Sequence, residues 1–197
     1  MSARVVVPLA VLGTVAWLCA AAAACLVLFL LSAVPNSAAV RAGGITSPVA
    51  PQSAPSAEAL ADIPPAYLVL YRQAAARFGL DWSILAGIGR VECDHGRDPD
   101  PSCTIEGHLN YAGAGGPAQF LVSTWQRYGI SASGSGPPDM WNPADAIMSM
   151  ANYLRASGAP ADVQRAIYAY NHAWWYVADV LAWARRYRAE YPNRGRR

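Results

Sequence analysis

The stretch Asp81-Trp-Ser-Ile-Leu-Ala-Gly-Ile-Gly-Arg-Val-Glu92-Cys-Asp-His-Gly96 decides how the chain folds. Asp81 has the short acceptor side chain of a helix N-cap, and Ile84, Leu85, Ile88 and Val91 follow at helical spacing. The pattern predicts a helix that ends near Glu92 and enters a Gly-, Pro- and Asp-rich stretch, 94–116, that reads as loop. Upstream, Pro64 and Pro65 suit the first turn of a helix carrying Tyr67, Leu68, Leu70, Tyr71 and Ala75, with Gly79 as its stop. Downstream, a short helix is expected over 118–128, then a flexible stretch over 129–141. Asn142 and Pro143 open a helix through Ile147, Met150, Ala151 and Leu154, stopped at Gly158, and two more helices are expected over 161–170 and 173–190. No run of alternating polarity longer than a few residues occurs, so the fold class is mainly α.

Composition divides the chain before this domain begins. Of 197 residues 54% are hydrophobic and only 14% are charged, against about a quarter charged in ordinary globular domains. The excess lies at the N-terminus, where no charge separates Arg4 from Arg41. Residues 5–34 exceed the roughly 20 apolar residues that span a bilayer as a helix, so 1–34 reads as a membrane anchor. The alternative is a cleaved secretory signal with Ser37-Ala38-Ala39 as the cleavage site. Residues 35–60, with Pro35, Pro48, Pro51 and Pro55 among Ala and Ser, read as a linker. Residues 61–191 then form one domain, and 192–197 a basic tail. Beyond the apolar span acidic and basic residues nearly balance, which excludes a strongly basic nucleic-acid binder.

Cys19 and Cys25 fall within the apolar span, which leaves Cys93 and Cys103 as the pair in the domain. In an oxidising compartment, pairing them would stabilise the fold by about 2.8 kcal/mol in the chain-entropy model. A metal site built from Cys93, His95, Cys103 and His108 is the competing reading, although the spacing lacks paired CxxC or HxxxH geometry. No metal or cofactor is expected.

Glu92 has a position suited to acid catalysis, because a carboxyl at the end of an apolar helix is partly desolvated and stays protonated near neutral pH. An ion pair with Arg90 or Arg97 is the plainer alternative. The strings Ile88-Gly-Arg-Val-Glu92-Cys-Asp-His-Gly-Arg97, Asn110-Tyr-Ala-Gly-Ala-Gly-Gly-Pro-Ala-Gln119-Phe-Leu-Val-Ser-Thr-Trp125, Asn142-Pro-Ala-Asp-Ala-Ile147 and Ala169-Tyr-Asn-His-Ala173, in this order, resemble the lytic transglycosylases of bacterial cell walls. The likeness is greatest to their membrane-bound B-type and soluble branches, and it implies a lysozyme-like helical domain. It also implies that Glu92 is the single acid and base, acting on peptidoglycan glycan strands to leave 1,6-anhydro ends. Gln119, Tyr170 and Asn171 match segments that line the cleft in that family, and Tyr111 is a further candidate for sugar stacking.

A water-using muramidase would need a second carboxylate, for which Asp94, Asp98, Asp100 and Glu106 are available. A wall-binding assembly protein without turnover is the other alternative. Many relatives carry Ser or Thr after the catalytic Glu, where this chain has Cys93. Among the tryptophans, Trp125, Trp174, Trp175 and Trp183 are core candidates by spacing, and Trp141, in a loop, suits saccharide stacking. Asp145 is expected to face the N-terminal dipole of its helix. The C-terminal arginines read as a solvated end, or as a lure for anionic wall polymers. The expected partners are thus peptidoglycan and, through the N-terminal span, a membrane.

Overall fold

A computed structural model describes residues 52–189. The anchor over 1–34 lies outside the described residues, among which no helix is long and apolar enough to cross a membrane. Eight α-helices follow in order: α1 (Ala57–Asp62), α2 (Pro65–Phe78), α3 (Trp82–Cys93), α4 (Pro101–Thr104), α5 (Val122–Tyr128), α6 (Pro143–Ala156), α7 (Val163–Tyr170) and α8 (Trp174–Tyr187). A 3-10 turn, Asp94–Gly96, continues α3, and a two-stranded hairpin, β1 (Ala114–Gly115) and β2 (Phe120–Leu121), stands before α5.

The sequence signals for α2, α3 and α6 act as expected. Pro65 occupies the first turn of α2, and Gly79 closes it at φ 64°, a conformation open to glycine. Asp81 accepts from Ser83 N at 3.0 Å, and Asn142 accepts from Ala144 N and Asp145 N. α3 is buried along most of its length, from Trp82 to Gly89 and again at Cys93, as its nearly unbroken apolar sequence requires. It packs chiefly on α8, with α2 and α6 completing the surround. The core joins Leu85, Ala86 and Ile88 to Tyr71 and Ala74 of α2, to Ile147, Met150 and Leu154 of α6, and to Val177, Val180 and Ala184 of α8.

Gly87 is where α3 and α8 come closest. A Cβ there would stand 2.5 Å from the Val180 carbonyl oxygen, a backbone atom that cannot rotate away. At Gly89 a Cβ would overlap the Tyr71 hydroxyl. That hydroxyl is 3.0 Å from His95 Nδ1, and His95 Nε2 is 3.0 Å from the Tyr187 hydroxyl, which donates to Asp62. The row Tyr71, His95, Tyr187, Asp62 satisfies every buried donor when His95 is neutral. Burial holds the imidazole in that form by lowering its pKa to about 4.

Several boundaries differ from the sequence expectation. Residues 52–60, assigned to the linker, are folded: Ser56 caps α1, Trp82 Nε1 donates to Ser53 O, and residue 55 pairs with Arg188 in an antiparallel bridge. The stretch 94–116 holds α4, which Asp100 caps and Pro101 opens. The helix expected over 118–128 begins only at Val122, because Gln119 takes a φ of 47° and the preceding residues form the hairpin turn. Trp174 and Trp175 are 62% and 67% exposed rather than core, while Trp125 and Trp183 are half-buried against it.

Gly87→Ala tests the close approach: overpacking against a fixed backbone should cost about 1–3 kcal/mol in urea unfolding. Stability within error of wild type would show that α8 can move aside.

Candidate active site

Glu92 sits in the last turn of α3, half-buried, with its carboxyl turned into the protein. Tyr176, in the first turn of α8, donates to Glu92 Oε1 at 2.5 Å. Desolvation pushes the Glu92 carboxyl up to about 7, and the Tyr176 bond, which favours the ionised form, holds it back only in part. Glu92 thus exchanges a proton near neutrality. The expectation of a raised pKa came from helix position; Tyr176 was not foreseen, since its spacing in α8 reads simply as core.

The chain turns sharply after Glu92. Asp94 and His95 take φ of 44° and 54°, the left-handed region that non-glycine residues rarely occupy, at a cost of order 1–3 kcal/mol each. Both are fixed by side chains. Arg97 Nη2 donates to Asp94 Oδ1 at 2.7 Å, Arg90 pairs with the same carboxylate, and His95 is held between its two tyrosines. Arg90 and Arg97 are therefore engaged by Asp94 and Asp62, not by Glu92.

A disulfide joins Cys93 to Cys103, so neither sulfur is free to ligate a metal, and both nitrogens of His95 are engaged. Cys103 Sγ lies 3.9 Å from the Glu92 carbonyl oxygen and Cys93 Sγ 3.6 Å from that of Gly116. The bridge thereby fastens the end of α3 to α4 and the hairpin.

Gln119 completes that fastening. Its Nε2 donates to Ser102 O at 3.2 Å and Gly116 O at 3.0 Å, and its Oε1 accepts from Asn110 Nδ2 at 2.9 Å. The side chain is thus committed to the protein's own groups. Gly116, at φ 74°, brings its Cα so close to Met140 O that a Cβ would overlap it. Tyr170 ends α7 and donates to Ala118 O at 2.6 Å, and its phenol is close enough to feel the Glu92 charge. Asn171 caps α7 in an extended conformation, and its carbonyl accepts from Ala173 N, turning the chain into α8. Tyr111, at the tip of the turn before β1, projects fully into solvent. Trp141 is half-buried, its ring edge near Gly115.

The loop carboxylates are placed elsewhere. Asp94 is held by arginines, Asp98 accepts from Asp100 N, and Asp100 caps α4 through Ser102 N. Glu106 is exposed. Asp145, expected to serve the helix dipole, accepts from Ala132 N at 2.8 Å and Asp139 N at 2.9 Å and so pins the loop over 129–141.

Residues 104–167 match the family model described as the Transglycosylase SLT domain, a span that includes Gln119 but not Glu92. Over 49 residues the chain is 45% identical to membrane-bound lytic murein transglycosylase B of Escherichia coli (strain K12). That overlap is 25% of this chain and 14% of the relative, so the chain spans only a small part of the curated protein it matches. Among solved structures, the lytic transglycosylase Slt35 of Escherichia coli superposes with a TM-score of 0.51 at 18% identity, over 65% of this chain and 76% of that one. SltB3 of Pseudomonas aeruginosa, solved in complex with NAG-NAM-pentapeptide, gives 0.50 at 17% identity, over 64% and 65%. The mainly helical, lysozyme-like fold expected from the sequence is therefore the fold observed.

Two measurements check the site. Carbon-13 NMR titration of the Glu92 carboxyl should give a midpoint near 7, and Tyr176→Phe, which removes a bond favouring the carboxylate, should raise it; a midpoint that stays put or falls would break the assigned contact. Cys93→Ala with Cys103→Ala should lower unfolding stability by about 2–4 kcal/mol. Reductant should then destabilise the wild type alone, and equal sensitivity of both proteins would show that the bridge is not formed.

Proposed function

We infer that this domain is a peptidoglycan lytic transglycosylase with Glu92 as its one acid and base. The observation that carries the reading is a desolvated carboxyl poised near pH 7, bonded to a tyrosine, with each acidic residue of the adjoining loop either tied elsewhere or exposed. The likeness to the SLT domain over residues 104–167 supports it. SltB3, which shares the fold, was solved with a NAG-NAM-pentapeptide ligand, and this supports peptidoglycan as the substrate class.

In this mechanism protonated Glu92 gives its proton to the oxygen between N-acetylmuramic acid and N-acetylglucosamine, and that bond breaks as positive charge develops at the muramic C1. The carboxylate left behind is stabilised by the Tyr176 hydroxyl on Oε1, which leaves Oε2 to carry the proton. It then takes the proton of the sugar's own C6 hydroxyl, whose oxygen closes on C1 as the 1,6-anhydro bond. Glu92 is protonated again and no water is consumed. Because the attacking hydroxyl belongs to the substrate, its effective concentration is high and a second carboxylate to activate water is unnecessary. Burial serves both steps, since a carboxyl near pKa 7 is a competent acid and, once ionised, a competent base.

Gln119 acts in this reading by holding the hairpin against the catalytic helix end, while Tyr170 and Asn171 line the cleft beside Glu92 and Tyr111 lies at its rim. The disulfide accords with a domain facing the cell wall, outside the reducing cytoplasm. We assign residues 1–34 as the single-pass anchor that holds it there.

Digestion of purified peptidoglycan in oxygen-18 water tests the reaction. The expected products are 1,6-anhydromuramic ends without the heavy isotope, and Glu92→Gln should lower their rate by about 10²–10⁴-fold. Reducing ends carrying oxygen-18 would make the protein a hydrolase, and binding without cleavage would remove the enzymatic reading.

A further inference from the structure

The start of α8 exposes two tryptophans for which the fold has no use. Trp174 and Trp175 are 62% and 67% exposed and belong to neither the core nor the side chains packed on it. Surface aromatic area of this kind has a cost in solubility and marks a contact. The pair is nonetheless held in place. Trp174 stacks on Tyr168 with ring centres 4.7 Å apart and planes at 29°, and Tyr168 in turn meets the edge of His172. One indole face of Trp174 is thus covered by a neighbouring ring, while the residue as a whole stays largely exposed. Trp175 meets the Tyr176 ring edge to face at 6.0 Å, and Tyr176 is the residue whose hydroxyl holds Glu92. Trp175 thus abuts, ring to ring, the buried tyrosine that holds Glu92.

Charge narrows the occupant. From Ala166 to Ala178 the chain carries no Asp, Glu, Arg or Lys, and His172 is its only titratable imidazole. Asp179, exposed one turn beyond Trp175, is the first charged residue of α8, and its sign disfavours phosphates and acidic epitopes there. A pyranose ring fits: its axial C–H bonds present a weakly positive face to the negative face of an indole, and its hydroxyl and acetamido groups lie around the edge. α8 begins without a capping side chain, so first-turn backbone N–H groups adjoin the same aromatics as donors for that edge.

We propose that Trp174 and Trp175 form a saccharide-stacking platform, a glycan subsite that extends the cleft beyond the bond broken at Glu92. It rests on the reading of Glu92 as the acid that cleaves peptidoglycan glycan. The platform binds sugar rings remote from the reacting bond, so its energy appears in substrate affinity rather than in the chemical step.

The test uses the full chain carrying Glu92→Gln and a GlcNAc–MurNAc oligosaccharide as probe, with binding followed calorimetrically. Adding Trp174→Ala and Trp175→Ala should weaken binding by about tenfold or more. In the chain with Glu92 intact the same pair should raise KM by a similar factor while kcat changes by less than about twofold. Trp175→Phe should recover part of the loss. Leu60→Ser, which removes an exposed apolar side chain from α1, is the control and should leave both values unchanged. Oligosaccharide affinity and KM within about twofold of the parent in the double variant would overturn the platform. So would a loss confined to phosphatidylcholine–phosphatidylglycerol vesicles or to self-association in sedimentation, with glycan binding intact. The two readings fail separately: parent enzyme that releases anhydro products at unchanged KM in the double variant removes the platform alone. Tryptophan-dependent glycan binding by a chain that releases none removes the catalytic reading alone.

Discussion

The contact of α3 with α8 at Gly87 sets the terms for the rest of the domain. A helix buried from Trp82 to Gly89 has no solvent face there along which to shift, and the Val180 carbonyl beneath Gly87 fixes its distance from α8. Glu92 and Tyr176 come from these two helices, so the short bond between their side chains is a consequence of how closely the backbones pack. An alanine-sized increase in separation at Gly87 would be felt at the carboxyl, five residues along. Burying the helix also explains why its end requires so much support. The left-handed turn at Asp94 and His95, the arginines on Asp94, the tyrosines on His95 and the disulfide all act within a few residues of Glu92.

Burial acts on two titratable groups three residues apart and moves them in opposite directions. It raises Glu92 toward 7 and lowers His95 toward 4, in both cases by disfavouring the charged form. The outcomes differ because the partners differ. His95 has a hydroxyl on each nitrogen and a neutral ring satisfies both, whereas Glu92 has one hydroxyl on one oxygen and keeps the other for exchange. One environment therefore yields a fixed structural group and a proton carrier side by side. A disulfide from Cys93 follows Glu92 directly, and the restraint of the Glu92 backbone that it provides is covalent.

What the sequence made legible followed from short-range signals. Caps at Asp81 and Asn142, first-turn prolines and the stop at Gly79 located α2, α3 and α6, and helix-end position together with the motifs around it singled out Glu92. The features missed depend on tertiary contact. Gln119 lies in a hairpin turn because its amide reaches Ser102, seventeen residues away, and no periodicity reports that. Tyr176 is core except for its hydroxyl, and nothing in the helical spacing of α8 sets it apart. Trp174 and Trp175 have helical spacing, yet they stand on the solvent side of the first turn of α8, whose inner side carries Tyr176. Asp100 followed by Pro101 was a readable helix start, hidden because the helix spans only Pro101–Thr104. The fold of residues 52–60 was masked by their linker-like composition, since the partners that hold the strap are distant in sequence: Gln52 Nε2 donates to Leu80 O, Ser56 Oγ to Arg186 O and Trp82 Nε1 to Ser53 O.

That strap has a topological consequence. Ser56 N donates to Tyr187 O and Ala189 N to Ala54 O, both at 2.9 Å, so the chain enters and leaves the domain at adjacent points. Glu92, in contrast, meets α8 at its opposite end, in the first turn. A folded unit whose ends touch can be spliced into an exposed turn of a host protein as a single insert, without stretching either chain, and Glu92 would lie at the end of α8 away from the junction. The architecture is in this sense modular: evolution or an engineer can move it between carriers as one closed piece.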